Sequence, residues 1–442
     1  MKLSVYVLGR EVAALESIGD FKSLMTYHQG VAPEDFVSLT MRVRHDPYLW
    51  DDVLHPIFQM NLPEGYLLQV LQEQFGPHIG ASPMALLSVI GRNMIGRIQV
   101  APPGVNLKEP PKPVDVADLL QGDNSEEAFA ELVRQHATSG VSGVVPKFLD
   151  ANAEKIAAGP HKKITLVTHR HIIKGSSRLL PFVTLNEHLC MQVAAQVMPT
   201  ARTEISRDGQ ALIVHRFDVD EHGVPHWGME DFCALLGLRP AAKYETTWER
   251  IGKAVRDHVP VANRSGVFQQ MAVMLLLTYA LRNANCHAKN VALLYTGRED
   301  VHLTPACGMI TTAAYADYSN NPPGIALGGR KTWAPRKQLQ QFITATFGIS
   351  ARDQRLMVDR ITDAMIDVGP RVRDAMNEHP GFVDVGKRML SAWQDGIAGL
   401  RDKRVYAMDG ADLGEAFRSS SDTAPTKAGR AARGRSDLPG KK

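Results

Sequence analysis

Apolar and polar positions alternate from Leu3 to Val7 and the alternation stops at Gly9, the period-2 pattern of a strand closed by a turn. MIGRIQV (Met94 to Val100) reads as another strand, and between the two DFVSLTMRVR (35–44) and LLQVLQEQF (67–75) space their apolar residues as helices do. The pattern then breaks at APPGVNLKEPPKPVDV, with five prolines between Pro102 and Pro113. Proline fixes φ and donates no backbone hydrogen bond, so such a stretch is neither helix nor central strand and reads as a linker. Beyond it, Asn124 or Ser125 caps a helix with Phe129, Leu132 and Val133 on one face. Three strand-like pieces follow: GVVPKFLDAN, KKITLVTHRHIIKG and QALIVHRFDVD.

From Met229 onward the period is mostly that of helices: EDFCALLGL, the apolar Val267 to Leu281, RDQRLMVDRITDAMIDV and KRMLSAWQDGIAGL. A strand-rich lobe ahead of a helix-rich lobe is an α+β order. The boundaries fall at 1–101 for an N-terminal α/β subdomain, 102–116 for the linker, 117–228 for the strand-rich lobe and 229–416 for the helical lobe. Residues 417–442 are small, basic and turn-prone, and are expected to be disordered.

Composition narrows the class. A chain of 442 residues exceeds one ordinary core. Its 50 Lys+Arg nearly balance 47 Asp+Glu, which excludes a general polyanion-binding role. Cys190, Cys233, Cys286 and Cys307 lack metal-ligand spacing and fit a reducing cytoplasm better than a disulfide framework. Arg10 and Glu11 interrupt the N-terminal apolar run, so no signal peptide is read there. The segment 267–281 is too short for a bilayer. A cytoplasmic protein is expected.

Several strings could carry chemistry, each open to a plainer reading alone. SGVSGVVPK (139–147) has the glycines that let backbone N–H groups approach a phosphate, or is a turn between strands. Lys174 ends a strand where it can pair with nucleotide phosphates, or is solvated, and Glu187 in LNEHLCMQVAAQV is a candidate partner for it. HRFD (215–218) reads first as a structural tie. NANCHAKN (283–290) is unusually polar for a segment beside a buried helix, serving either a site or a hydrogen-bond network. LTPACGMITT (303–312) is most simply a turn, after a hairpin-like LLYTGREDVHL.

Taken in this order, and with LPEGYL (62–67), LLSVIGRNMIGRIQVAPPG and MEDFCALLGLRPAAKYE (229–245), the strings resemble the HipA family of serine/threonine kinase toxins over residues 1–415. The resemblance implies a protein-kinase-like fold using ATP and Mg²⁺. It places Ser142, Gly143, Val144, Val145 and Lys147 in the glycine-rich loop and Lys174 on the phosphates, ion-paired to Glu187. His215, Arg216 and Phe217 fall at the hinge, His287 and Lys289 in the catalytic loop, and Asn290 at the metal. It further implies a small helix-turn-helix antitoxin of HipB type, or a related HipA-like protein, as partner. DNA would then be reached only through that partner, and an aminoacyl-tRNA synthetase is the family's kind of target.

Two departures matter. The family's loop reads NxDxHxKN, and Asn285 stands at its proton-accepting aspartate. The family's metal-binding aspartate lies in a YD pair that here reads Cys307-Gly308. A carboxamide takes up no proton at neutral pH, and glycine offers Mg²⁺ no side-chain oxygen. The regulatory serine is also displaced, Gly140 standing where many members carry it and Ser142 two residues on.

Three readings follow: an inactive or attenuated kinase fold that works by binding; an active kinase recruiting Asp317 or Asp218; or a transferase with Cys286 or Cys307 as nucleophile.

Overall fold

The computed structural model describes residues 1–19, 22–52, 54–80, 82–105, 107, 114–139 and 164–401. The glycine-rich string from Gly140 to Lys147 and the basic tail lie outside them. Among the described residues no helix is long and apolar enough to cross a membrane.

Three antiparallel sheets organise the chain. The first has the order β4-β3-β2-β1-β5, with β1 Lys2–Val7, β2 Arg10–Ile18, β3 Lys22–Tyr27, β4 Tyr48–Trp50 and β5 Ile98–Ala101. Val7 pairs with Arg10, so the β1–β2 turn is Leu8-Gly9, both at positive φ (49° and 75°). That geometry matches the right-handed twist of the flanking strands. β1 is an interior strand, between β2 and β5, and is buried on both faces.

The helix expected over 35–44 is absent: the segment runs extended, with a short turn at Pro33–Asp35 and a bridge between Ser38 and Met41. Its apolar residues serve two cores. Phe36 and Leu39 enter the core of the helical lobe, while Val37 and Met41 enter that of the N-terminal sheet. An apolar spacing read as one helical face is therefore a seam between two bodies. Glu230, fully buried, holds that seam through Ser38 Oγ (2.7 Å), the Leu39 N–H (2.6 Å) and the Tyr295 hydroxyl (2.7 Å).

The second sheet, in the order β6-β7-β9-β8, contains β6 Ile164–Val167, β7 His171–Gly175, β8 Thr203–Ile205 and β9 Ala211–His215. ALIV in β9 is apolar throughout because both faces are covered. Ala211 and Ile213 meet Val70, Leu71, Phe129 and Val133 of the Gly65–Ile79 and Glu126–Ser139 helices. Leu212 and Val214 meet Leu189 and Val193 of the Val183–Ala195 helix. Two helices from opposite sides of the proline-rich segment thus share one core. Ser125 caps the second of them, accepting from the Ala128 N–H.

The third sheet pairs β10 Gly228–Asp231, β11 Ala292–Gly297 and β12 Asp300–Leu303, the last two joined by the expected hairpin. EDFCALLGL, read as helical, begins in β10, with only Phe232–Leu235 forming a helical turn. The helical lobe is built on Val261–Ala280, buried without a break from Met271 onward. Against it pack Ala351–Glu378 and Val383–Leu400. At Gly396 the latter comes so close that an added Cβ would lie 2.0 Å from the Ala280 carbonyl oxygen.

Candidate functional site

The polar loop begins where Val261–Ala280 ends. Arg282 turns left-handed (φ 53°), and the Asn283 N–H reaches back to the Thr278 carbonyl (3.0 Å), closing the helix with a Schellman motif. Asn283 is buried and its Oδ1 accepts the Asn285 N–H (3.0 Å). Thr312 Oγ1 accepts the Ala284 N–H and donates to the Arg282 carbonyl (both 2.8 Å), binding the loop to the 303–312 segment.

That segment is itself fixed from two sides. Asn186, fully buried in the helix that carries Glu187, exchanges two hydrogen bonds with the Thr311 backbone (3.0 Å each). Trp393 Nε1 donates to Thr311 Oγ1 (2.7 Å). The polar loop, the 303–312 turn and the glutamate-bearing helix are therefore one network.

Asn285 Oδ1 accepts the Tyr244 hydroxyl (2.8 Å), and the Tyr244 ring stands edge-on to His287 at 4.9 Å. Asn290 Oδ1 accepts the His287 N–H (3.3 Å), and the Asn290 N–H returns to the His287 carbonyl (2.8 Å). His287 is 8% exposed, and its Nδ1 has no hydrogen-bond partner among the described residues. Burial, helped by Lys243 and Lys289, pulls its pKa down to about 3, so the ring is neutral at physiological pH.

Gly308 adopts φ +68°, and a Cβ built on it would lie 3.0 Å from Asn290 Nδ2. The two positions face one another, but a single neutral carboxamide whose oxygen already accepts a hydrogen bond makes a poor Mg²⁺ cradle. No group of three or more His, Cys, Asp or Glu side chains placed to hold a metal occurs among the described residues. The residues present do not fit the ion.

Tyr244, Asn285, His287 and Asn290, but not Gly308, border a cavity of about 1000 Å³ between the N-terminal subdomain, β6 and the helical lobe. Among the described residues its charged lining comprises Arg92, Lys243, Lys289 and Lys331 against one carboxylate, Glu64. Glu64 takes Lys243 on Oε2 (2.7 Å) and Lys289 on Oε1 (2.6 Å). Burial pushes its pKa up, yet the two ammonium groups outweigh that and hold it at about 2.

Lys174 and Glu187 form the expected ion pair, with Glu187 only 1% exposed. Neither lines the cavity, although Thr165, paired with Lys174 across β6 and β7, does, as does Tyr315, whose phenol is raised by burial first and by the Glu187 charge in smaller part.

His215, Arg216 and Phe217 do not line the cavity. His215 pairs with Glu204 (2.6 Å), and Arg216 makes a buried ion pair with Asp218 (2.5 Å). Arg216 also donates to the Met94 and Thr168 carbonyls, and Asp218 Oδ2 accepts the Gly96 N–H (2.6 Å). HRFD is a tie between subdomain and lobe. Asp218 is thereby committed, and Asp317 sits exposed on the short Ala316–Tyr318 turn, outside the lining. Cys286 and Cys307 also stay out of the lining, and burial raises the Cys286 thiol to about 11. Neither favours a thiolate nucleophile.

Lys243, Tyr244, Asn186 and Glu64 carry much of this geometry without having been singled out from sequence. Two strings, LPEGYL and KYE, contained three of them, but only the fold brings Glu64 to Lys243 and Lys289, 179 and 225 residues away.

A strand-rich lobe with a lysine–glutamate pair, joined to a helical lobe across a cationic cleft, defines a kinase-like fold. A chain in the solved complex of HipA, HipB and operator DNA from Shewanella oneidensis MR-1 has this fold, with a TM-score of 0.61 at 17% identity, over 94% of this chain and 99% of that one. Residues 139–368 match the HipA-like C-terminal domain and residues 3–101 the HipA N-terminal domain. The chain belongs to the HipA family. Among similar proteins of Sinorhizobium fredii (strain NBRC 101917 / NGR234), "Putative kinase Y4dM" is 23% identical over 346 residues, covering 71% of this chain and 78% of its own. "Putative kinase Y4mE" is 28% identical over 306 residues, covering 63% and 69%.

Proposed function

We propose that this protein binds a nucleotide by its phosphates in the cationic cleft, transfers the phosphoryl group very slowly or not at all, and acts by binding a partner. One observation carries the reading: the Lys174–Glu187 pair is formed, whereas Asn285 and Gly308, at the resembled base and metal positions, present a carboxamide and no side chain. Phosphoryl transfer depends on positioning and on neutralising charge, so losing both carboxylates leaves binding without efficient chemistry. In this reading Lys174, which the resemblance puts on the phosphates, supplies the first phosphate contact, and the cationic lining of the cleft favours the anion. Glu64, the one lining carboxylate among the described residues, is no substitute base: a group held at about 2 has almost no affinity for a proton at pH 7.

The HipA of the Shewanella complex assembles with HipB and operator DNA. By family likeness we assign this chain a small antitoxin-like partner, through which any DNA contact is made.

The test is incubation of the purified chain with γ-labelled ATP and Mg²⁺. No label is expected in the protein. A labelled peptide containing Ser142 would overturn the attenuated reading in favour of an active kinase.

A further inference from the structure

We infer a second anion subsite in the cleft, built by Lys243 and Lys289 for a phosphate group and held shut by Glu64 of the N-terminal subdomain. It deepens the nucleotide-binding reading and rests on it only for the ligand class.

The geometry already displays the chemistry. One carboxylate spans two ammonium groups at 2.7 and 2.6 Å, the spacing that two oxygens of a phosphate also satisfy. Both lysine side chains are mostly buried (22% and 15% exposed), so they are set in place rather than swept through solvent. Their backbones belong to one framework, since the Ala288 N–H donates to the Lys243 carbonyl (3.0 Å). Beside them the buried Nδ1 of His287 has no partner among the described residues, which is the mark of a polar atom awaiting a ligand. On the other side Lys331 Nζ lies 5.6 Å from the centre of the Tyr244 ring. Asp231, a further carboxylate nearby, is buried and caps Phe232–Leu235 through the Ala234 N–H (2.7 Å), so it does not occupy the subsite.

Glu64 differs from its partners. Its side chain is 48% exposed, and it precedes the Gly65–Ile79 helix as its N-cap residue without a side-chain capping bond. Nothing but the two lysines holds its carboxylate among the described contacts. Protonation does not release it at ordinary pH; a competing anion does. A phosphate carries more charge than a carboxylate and displaces it, freeing the N-terminal subdomain from the catalytic loop. The subsite is thus coupled to how the two bodies are held together.

The probe is inorganic pyrophosphate, titrated calorimetrically into the full chain in a Lys174→Ala background, which removes the first phosphate contact. Glu64→Gln is expected to tighten binding about five- to tenfold, the usual size of a coupling between competing occupants. Lys289→Gln is expected to abolish it. If Glu64→Gln compromises folding, judged by circular dichroism, Glu64→Asp reads the same direction with a smaller gain. A phosphoserine pentapeptide forms a parallel arm. Tightening for pyrophosphate alone assigns the subsite to nucleotide phosphates, and tightening for the peptide assigns it to a phosphorylated polypeptide. Unchanged or weaker binding of both probes in folded Glu64 variants overturns the proposal. Failure of the nucleotide reading looks different: ATP affinity would then be insensitive to Lys174→Ala with Glu64 intact.

Discussion

Placing carboxylates at both resembled positions, Asn285→Asp with Gly308→Asp, is expected to raise phosphoryl transfer from ATP and Mg²⁺ by about 10²-fold or more over either single change. The effects should not add. An aspartate at 285 without a metal ligand faces unneutralised phosphates, and one at 308 without a base leaves the acceptor hydroxyl protonated. The site is built to receive the first change: the Tyr244 hydroxyl that donates to Asn285 Oδ1 at 2.8 Å would donate equally to a carboxylate and orient it. The second change has a cost. Gly308 sits at φ +68°, where a side chain costs roughly 1 kcal/mol, although aspartate tolerates the region better than most residues. Its Cβ, 3.0 Å from Asn290 Nδ2, requires that carboxamide to give by a few tenths of an ångström. A small fall in melting temperature should therefore accompany the gain. The measurement is label incorporated per minute into the chain or an added protein acceptor. A double variant that folds yet transfers no faster than the singles would show that the missing carboxylates are not what limits the chemistry.

Asp218→Ala is expected to destabilise the protein by about 3–5 kcal/mol, the range for stranding one partner of a buried ion pair. Arg216 and Asp218 side chains are each 2% exposed, so the guanidinium left behind has no water to replace the carboxylate. The same change removes the acceptor for the Gly96 N–H and loosens the N-terminal subdomain from β9. Urea unfolding followed by tryptophan fluorescence reads the loss as a lower midpoint. A cost below about 1 kcal/mol, as for exposed pairs, would show that the tie is dispensable.

Much of this architecture was legible in the chain. The strand-to-helix order followed from the residue pattern, the Lys174–Glu187 pairing and the two altered positions from the resemblance to the HipA family, and the fold places Asn285, His287 and Lys289 on one cavity wall. Misreadings arose where a residue's neighbours come from far away. Phe36, Val37, Leu39 and Met41 look like one helical face because period alone cannot tell one core from two. HRFD, by contrast, reads from its residues as a structural tie, and its side chains do turn to Met94, Gly96 and Thr168 of other segments; only the resemblance put it at a hinge. Glu64 was invisible as a functional group, since nothing within its own string meets its charge. Its partners appear only when residues 64, 243 and 289 converge.

The most direct test of the central claim is calorimetric titration of the full chain with ATP, in the presence and absence of Mg²⁺. A cleft that keeps its phosphate-binding lysines but lacks a metal ligand should bind ATP with nearly the same affinity in both conditions. Binding that appears only with Mg²⁺, or tightens tenfold or more when it is added, would contradict the account, because the cleft would then hold a metal that Asn290 and Gly308 do not provide for.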